Sequence, residues 1–123
     1  MEYNNKEVIL NEHGNNSEIH INILPEDDMR KIGFTDHDPK YWYLIKTLAK
    51  DITFNLSVCK DNDKDWQIDI LDEWFLQPYD FQYYISNCPN NAFAKKVNDE
   101  CMAVMQMLID RGIISNYELG DYI

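Results

Sequence analysis

The side chains whose spacing most resembles a chemical site are carboxylates. In DNDKDWQIDILDE, Asp61, Asp63, Asp65, Asp69 and Asp72 fall on positions 1, 3, 5, 9 and 12 of a calcium-loop count, with Ile68 at position 8. Such a loop needs oxygen ligands at alternating positions, a glycine at the sixth for its sharp turn, and a bidentate glutamate at the twelfth. Here the sixth residue is Trp66 and the twelfth is Asp72, which is too short to reach as glutamate does. A strand also precedes the loop where a helix should enter. Alternation explains the same acids without a metal: Trp66, Ile68 and Ile70 point one way, and Asp65, Gln67 and Asp69 the other.

Other reactive groups are scattered. Asp36-His37-Asp38 offers imidazole and carboxylate and is the place where a small metal-dependent hydrolase would be sought. His13 and His20 lie elsewhere, however, and no histidine pair has helical ligand spacing. Cys59, Cys88 and Cys101 are odd in number and lack CxxC spacing, which points to free thiols rather than a disulfide framework or a zinc knuckle. None has an evident base beside it, so no catalytic residue, metal ligand or cofactor is assigned. Gly14, Gly33, Gly112 and Gly120 stand too far apart to cradle a phosphate. Met102, Met105 and Met107 could line an adaptable groove, but with Val104 and Leu108 they fit a helix core better.

Charge narrows the function classes. The 123 residues carry 22 acids against 11 lysines and arginines, a formal net charge of −11. Direct binding to nucleic-acid phosphates depends on Lys and Arg displacing counterions, so it is not expected here. A basic protein is the natural complement, although net negative charge also serves solubility alone. The 45% hydrophobic content and 16 aromatic residues predict one self-folding domain over residues 1 to 123. No apolar run approaches a membrane span, and MEYNNKEVIL lacks the order of a signal peptide. The expectation is therefore a cytoplasmic protein.

The elements that must hold these groups read as α+β. Residues 1–17 and 115–123 are polar and expected to dock loosely. Ile19, Ile21 and Ile23 alternate with polar neighbours as a strand. Pro25 ends it, and a short helix follows, carrying Met29 and Ile32 and stopping at Gly33. Residues 38–51 fit two templates. Asp38 and Pro39 would open a helix bearing Tyr41, Leu44, Ile45 and Leu48, while the density of aromatic and β-branched residues tips the reading toward the first arm of a hairpin. Ile52, Phe54, Leu56 and Val58 form the next strand, residues 60–64 a linker, and Trp66, Ile68 and Ile70 its antiparallel partner. Pro78 is placed at the start of a short helix with Phe81, Tyr84 and Ile85 on one side. A long amphipathic helix then carries Phe93, Val97, Cys101, Val104, Met105, Leu108 and Ile109 and ends at Gly112. The expected architecture is a small antiparallel meander with the C-terminal helix packed on one face.

Seven acids and one lysine between Asp61 and Asp80 leave a net −6 on twenty residues, interleaved with Trp66, Trp74, Phe75, Tyr79 and Phe81. Carboxylates that steer and rings that anchor are what a surface for a Lys/Arg-rich protein would use. The expected binding residues are Asp61, Asp63, Asp65, Asp69, Asp72, Glu73, Trp74 and Tyr79. The competing reading makes the rings core and the acids a solvated rim.

The stretches GFTDHDPKYWYLIKTLAKDITFNLSV, DWQIDILDEWFLQPYDFQYYI and GDYI resemble small acidic proteins carried by bacteriophages and mobile elements of gut Firmicutes, over about residues 33–123. The resemblance implies a setting, with anti-CRISPR and other anti-defence inhibitors similar in size and charge. Some of these place carboxylates where phosphates would sit. Composition and that setting together give the first expectation, a non-enzymatic DNA mimic, monomer or homodimer, that inhibits a CRISPR nuclease or another basic effector. The alternatives are an immunity or antitoxin-like protein using an aromatic patch, and a small enzyme or metal-binding domain.

Overall fold

The computed structural model describes residues 19–88 and 90–115, apart from the Gln82 side chain. Two expected loose ends, 1–17 and most of 115–123, lie outside the described residues. The elements run β1 (His20–Ile21), α1 (Glu26–Ile32), β2 (Tyr41–Ala49), β3 (Ile52–Cys59), β4 (Asn62–Asp72), β5 (Gln77–Pro78), α2 (Phe81–Asn87), α3 (Ala92–Asp110) and β6 (Ile114–Ser115). The fold is α+β: an antiparallel meander ordered β2-β3-β4-β5, a two-stranded β1-β6 pair, and the long C-terminal helix.

The meander follows from alternation. Trp42, Val58 and Trp66 stand side by side across three strands, as do Leu44, Leu56 and Ile68, and all six are buried. Burying such a side chain stabilises by about 1.5–3 kcal/mol, so this shared apolar face fixes the register. Residues 38–51 resolve as a strand. Asp38 Oδ1 accepts from the Lys40 backbone N–H and the Asp38 carbonyl from the Tyr41 N–H, so the helix-cap signal is spent on a turn before β2. Asp51 takes the left-handed position of the β2–β3 turn, with φ 62°.

The expected linker 60–64 is shorter than the sequence indicates, because β4 begins at Asn62. Cys59 pairs with Asn62 while Val58 pairs with Trp66, so Asp63, Lys64 and Asp65 form a bulge without partners on β3. The strand expected from Ile19 to Ile23 is reduced to His20–Ile21, which pairs with Ile114 and Ser115. Ile113 and Ile114 are core residues, 0% and 1% exposed.

The helices cover one sheet face. In α3, Ala94, Val97, Cys101, Met105 and Leu108 are buried at spacings of three and four, and the helix packs against β2. Asn91 caps its start by accepting from the Ala94 N–H at 3.0 Å. Gly112, with φ 82°, lets the Ile113 N–H reach the Leu108 carbonyl and closes the other end. Phe93, read as the first stripe residue, is instead 43% exposed. The small Ala94 takes the inward position, and a neighbour one residue away is turned about 100° around the axis. The helix expected to start at Pro78 begins at Phe81, capped by Asp80 accepting from the Tyr83 N–H, while Pro78 belongs to β5. Its inward pair is Phe81 and Ile85, which leaves Tyr84 on the flank.

Candidate functional site

With the described helices all on one side, the other face of the meander carries no described helix and its side chains are mostly half-buried. It carries Tyr41, Tyr43 and Ile45 from β2, Asn55 and Ser57 from β3, and Gln67, Asp69 and Leu71 from β4, with Tyr43, Ser57 and Gln67 aligned in register. Hydrogen bonds lock several of its polar groups. The Tyr41 hydroxyl donates to Asp65 at 2.6 Å, Gln67 to Asp69 at 2.6 Å, and Thr53 to Glu73 at 2.7 Å.

The eight expected binding residues do not form one patch. Asp61 and Asp63 are exposed at the β3–β4 turn and its bulge. Asp72 ends β4, with Glu73 and Trp74 just beyond it, and the six strand steps from Trp66, next to the bulge, to Asp72 keep the two groups about 20 Å apart. Several carboxylates also have structural work. Asp72 accepts the Trp74 and Phe75 backbone N–H groups at 2.9 and 3.1 Å and so shapes the β4–β5 turn. Asp61 and Asp63 accept no hydrogen bond and join no ion pair with any other described residue, which leaves them the most available of the six acids in this set.

The rings divide sharply. Trp66 and Phe81 are core, whereas Trp74, Phe75 and Leu76 are 73%, 67% and 84% exposed at the β4–β5 turn. Leu76 is held there at φ 55°, a conformation costly for a non-glycine residue and forced by the tightness of the turn. Tyr79 is half-buried. Its ring stacks on Tyr84 at 5.2 Å and meets Phe93 edge-on at 5.9 Å, and burial pushes its hydroxyl pKa up, helped by Tyr84 and Asp72. Tyr79 is thus the footing of an aromatic tip, and Trp74 and Phe75 are its exposed members. Between them and Lys50, Asp51 and Phe93 lies a shallow cleft of about 440 Å³.

The other sequence candidates are occupied. Asp36 bridges Arg30 at 3.0 Å and Lys60 at 2.9 Å, and both cations lie over the Trp42 ring, at 5.2 and 4.4 Å from its centroid. Asp38 holds its own turn. Asp36-His37-Asp38 is therefore a brace between α1 and the sheet, with two of its three groups already engaged. Cys101 is enclosed in the core, and burial pushes its thiol pKa well up, away from nucleophile behaviour.

The chain matches no family model and no curated protein. Among solved structures it is similar to a DUF1831 family protein from Lactobacillus plantarum, with a TM-score of 0.60 and 11% identity over 78% of this chain and 82% of that one. The likeness is one of fold. No helix among the described residues is long and apolar enough to cross a membrane.

Leu76, Tyr83, Tyr84 and Phe93 complete the exposed tip and escape the sequence reading. Tyr84 and Phe93 sit within a residue of true core positions, so periodicity absorbs them. The signal available for Phe93 is that Ala94, Val97 and Cys101 make a self-sufficient stripe without it.

Proposed function

We propose that the protein is a non-enzymatic interaction module that holds a Lys/Arg-rich partner, with the acids along the β3–β4 hairpin steering and the Trp74-Phe75-Leu76 tip anchoring. The observation that carries this reading is the tip itself: three consecutive large apolar side chains, the most exposed large hydrophobics among the described residues. Contiguous exposed apolar surface of this kind marks contact sites, and aromatic anchors dominate interface energetics. The acids fit steering better than point-by-point phosphate mimicry. Asp61, Asp63 and Asp65 sit in the turn and bulge rather than on the ladder, and Asp69 and Glu73 are four residues, about 13 Å, apart along extended chain, so the acids form no regular row spaced like phosphates. Steering needs only a field of the right sign.

The partner class that follows is a basic protein whose usual ligand is nucleic acid, such as a CRISPR nuclease or another defence effector in a bacterial cytoplasm. The test is a titration of purified effectors of this class with wild type and with the D61K/D63K variant, at low and high salt. Binding weakened by both changes supports the reading. Binding indifferent to both removes the charge component. If W74A then abolishes it, the second reading, an immunity-type protein acting through the aromatic tip alone, takes its place.

A further inference from the structure

The cleft beside the aromatic tip lies where the β2–β3 turn, the β4–β5 turn and the start of α3 meet. Ile52 pairs with Asp72, and the Asp51 carbonyl accepts from the Glu73 N–H at 2.7 Å, so Asp51 and Asp72 stand at the same corner of the sheet. Trp74, Phe75, Tyr79 and Phe93 supply the rings around them. Tyr79 is already seated against Tyr84 and Phe93, and a side chain held in place beforehand loses little freedom on binding. The cleft of about 440 Å³ is at the small end of the range for ligand sites, about 300–1,000 Å³, and suits one long side chain. Its carboxylates are not used up. Asp72 spends Oδ1 on the Trp74 and Phe75 N–H groups, and no described residue donates to its Oδ2. The Asp51 side chain joins no ion pair with a described residue. Lys50 also lines the cleft, yet it pairs with neither acid and lies over no ring.

We propose that this cleft holds an arginine side chain of the partner, its guanidinium stacked on an exposed ring of the tip and donating to Asp72 Oδ2 and Asp51. The inference rests on the interaction reading above and specifies what the tip anchors. Two acids against one lysine leave the corner negative, on a chain of net charge −11, so a cation is the complementary occupant. Rings beside carboxylates select the kind of cation. A planar guanidinium stacks on an aromatic face while its edge donates to a carboxylate, whereas an ammonium is a compact, strongly hydrated charge. The fold itself holds cations with this combination. Arg30 and Lys60 lie over Trp42 and both pair with Asp36. Trp74 and Asp72 bring together the same two kinds of group with no described cation in place.

The experiment uses the full chain and capped glycine-X-glycine peptides in which X is arginine, lysine or citrulline, the last an uncharged copy of arginine. Binding is read from the Trp74 indole N–H resonance, which Trp74→Phe assigns by removing it. The expected result is arginine binding about tenfold tighter than citrulline, and tighter than lysine. The double variant Asp51→Asn, Asp72→Asn keeps side chains that accept the turn bonds and tolerate a left-handed backbone, and it should erase the gap between arginine and citrulline. Lys50→Gln should strengthen arginine binding. Equal affinity for arginine and citrulline, an unmoved Trp74 resonance at millimolar peptide, or weaker arginine binding by Lys50→Gln each overturns the cation site. Lysine binding as tightly as arginine overturns the choice of arginine. The effector titration decides the interaction reading separately. If the peptides fail while effector binding still needs Trp74, the tip is an apolar anchor and only the arginine site is lost.

Discussion

The Tyr41 hydroxyl donates to Asp65 Oδ2 at 2.6 Å, so the first strand of the meander is tied to the bulge of the third. The bond to Asp65, then burial and the Asp65 charge, push the Tyr41 pKa up to about 12. A raised value means that folding favours the protonated hydroxyl. The stability it contributes is present below about pH 10, the ordinary tyrosine range, and is lost as pH rises towards about 12. The urea midpoint of wild type should fall across that window more steeply than that of Tyr41→Phe. Absorbance near the tyrosinate band should show one late-titrating tyrosine missing from the variant. Identical alkaline profiles would sink the assignment.

Asp36 behaves in the opposite sense. Its bond from Lys60 and the charge of Arg30 hold the carboxylate below its ordinary range despite partial desolvation. That stability is present above about pH 4 and is lost as pH falls below it. Asp36→Asn should lower the urea midpoint at neutral pH, and the gap from wild type should close on acidification. A gap that persists at pH 2 would mean the residue acts by packing rather than charge.

The aromatic tip is predicted to be dispensable for folding. Trp74→Ala and Phe75→Ala remove mostly exposed surface and should shift stability by no more than about 0.5 kcal/mol. Leu56→Ala, in the middle of the three-strand apolar row, should cost about 2–5 kcal/mol. Thermal unfolding of the three variants compares them directly. A large loss at Trp74 would make the tip part of the core and remove the main support for an anchoring role.

Asn91 closes the start of α3 with a side-chain bond to the Ala94 N–H. Asn91→Ala should cost about 1 kcal/mol, and Asn91→Asp should recover most of it because aspartate caps as well. Chemical denaturation of the two variants checks the order.

How far these features could be read beforehand differs from place to place. The hairpin of β3 and β4 was legible because Ile52, Phe54, Leu56 and Val58 alternate without interruption and Trp66, Ile68 and Ile70 answer them. The face of Asp65 and Asp69 followed from the same period. The bulge at Asp63–Asp65 was not legible, since a polar run reads equally as turn or strand and only the pairing of Cys59 with Asn62 decides. Pro78 was a fair helix-start signal that failed because the Ile70 carbonyl recruits the Tyr79 N–H and extends β5 first. The shortness of β1 and the pairing of Ile114 depend on contacts between chain ends more than ninety residues apart, beyond any local pattern. The split of the acids between two ends of β4 was hidden for a simpler reason. Twenty residues of sequence look like a cluster, whereas extended backbone spreads them over tens of ångströms.

The turn that projects Trp74, Phe75 and Leu76 also sets the colloidal behaviour of the protein. Sticky tips on separate molecules are kept apart by a net charge of −11, and that repulsion vanishes as the solution approaches the isoelectric point near pH 4.5. Mild acid or concentrated salt should therefore cloud a solution of folded molecules well before it unfolds them. Light scattering of Trp74→Ala should stay low under the same treatment.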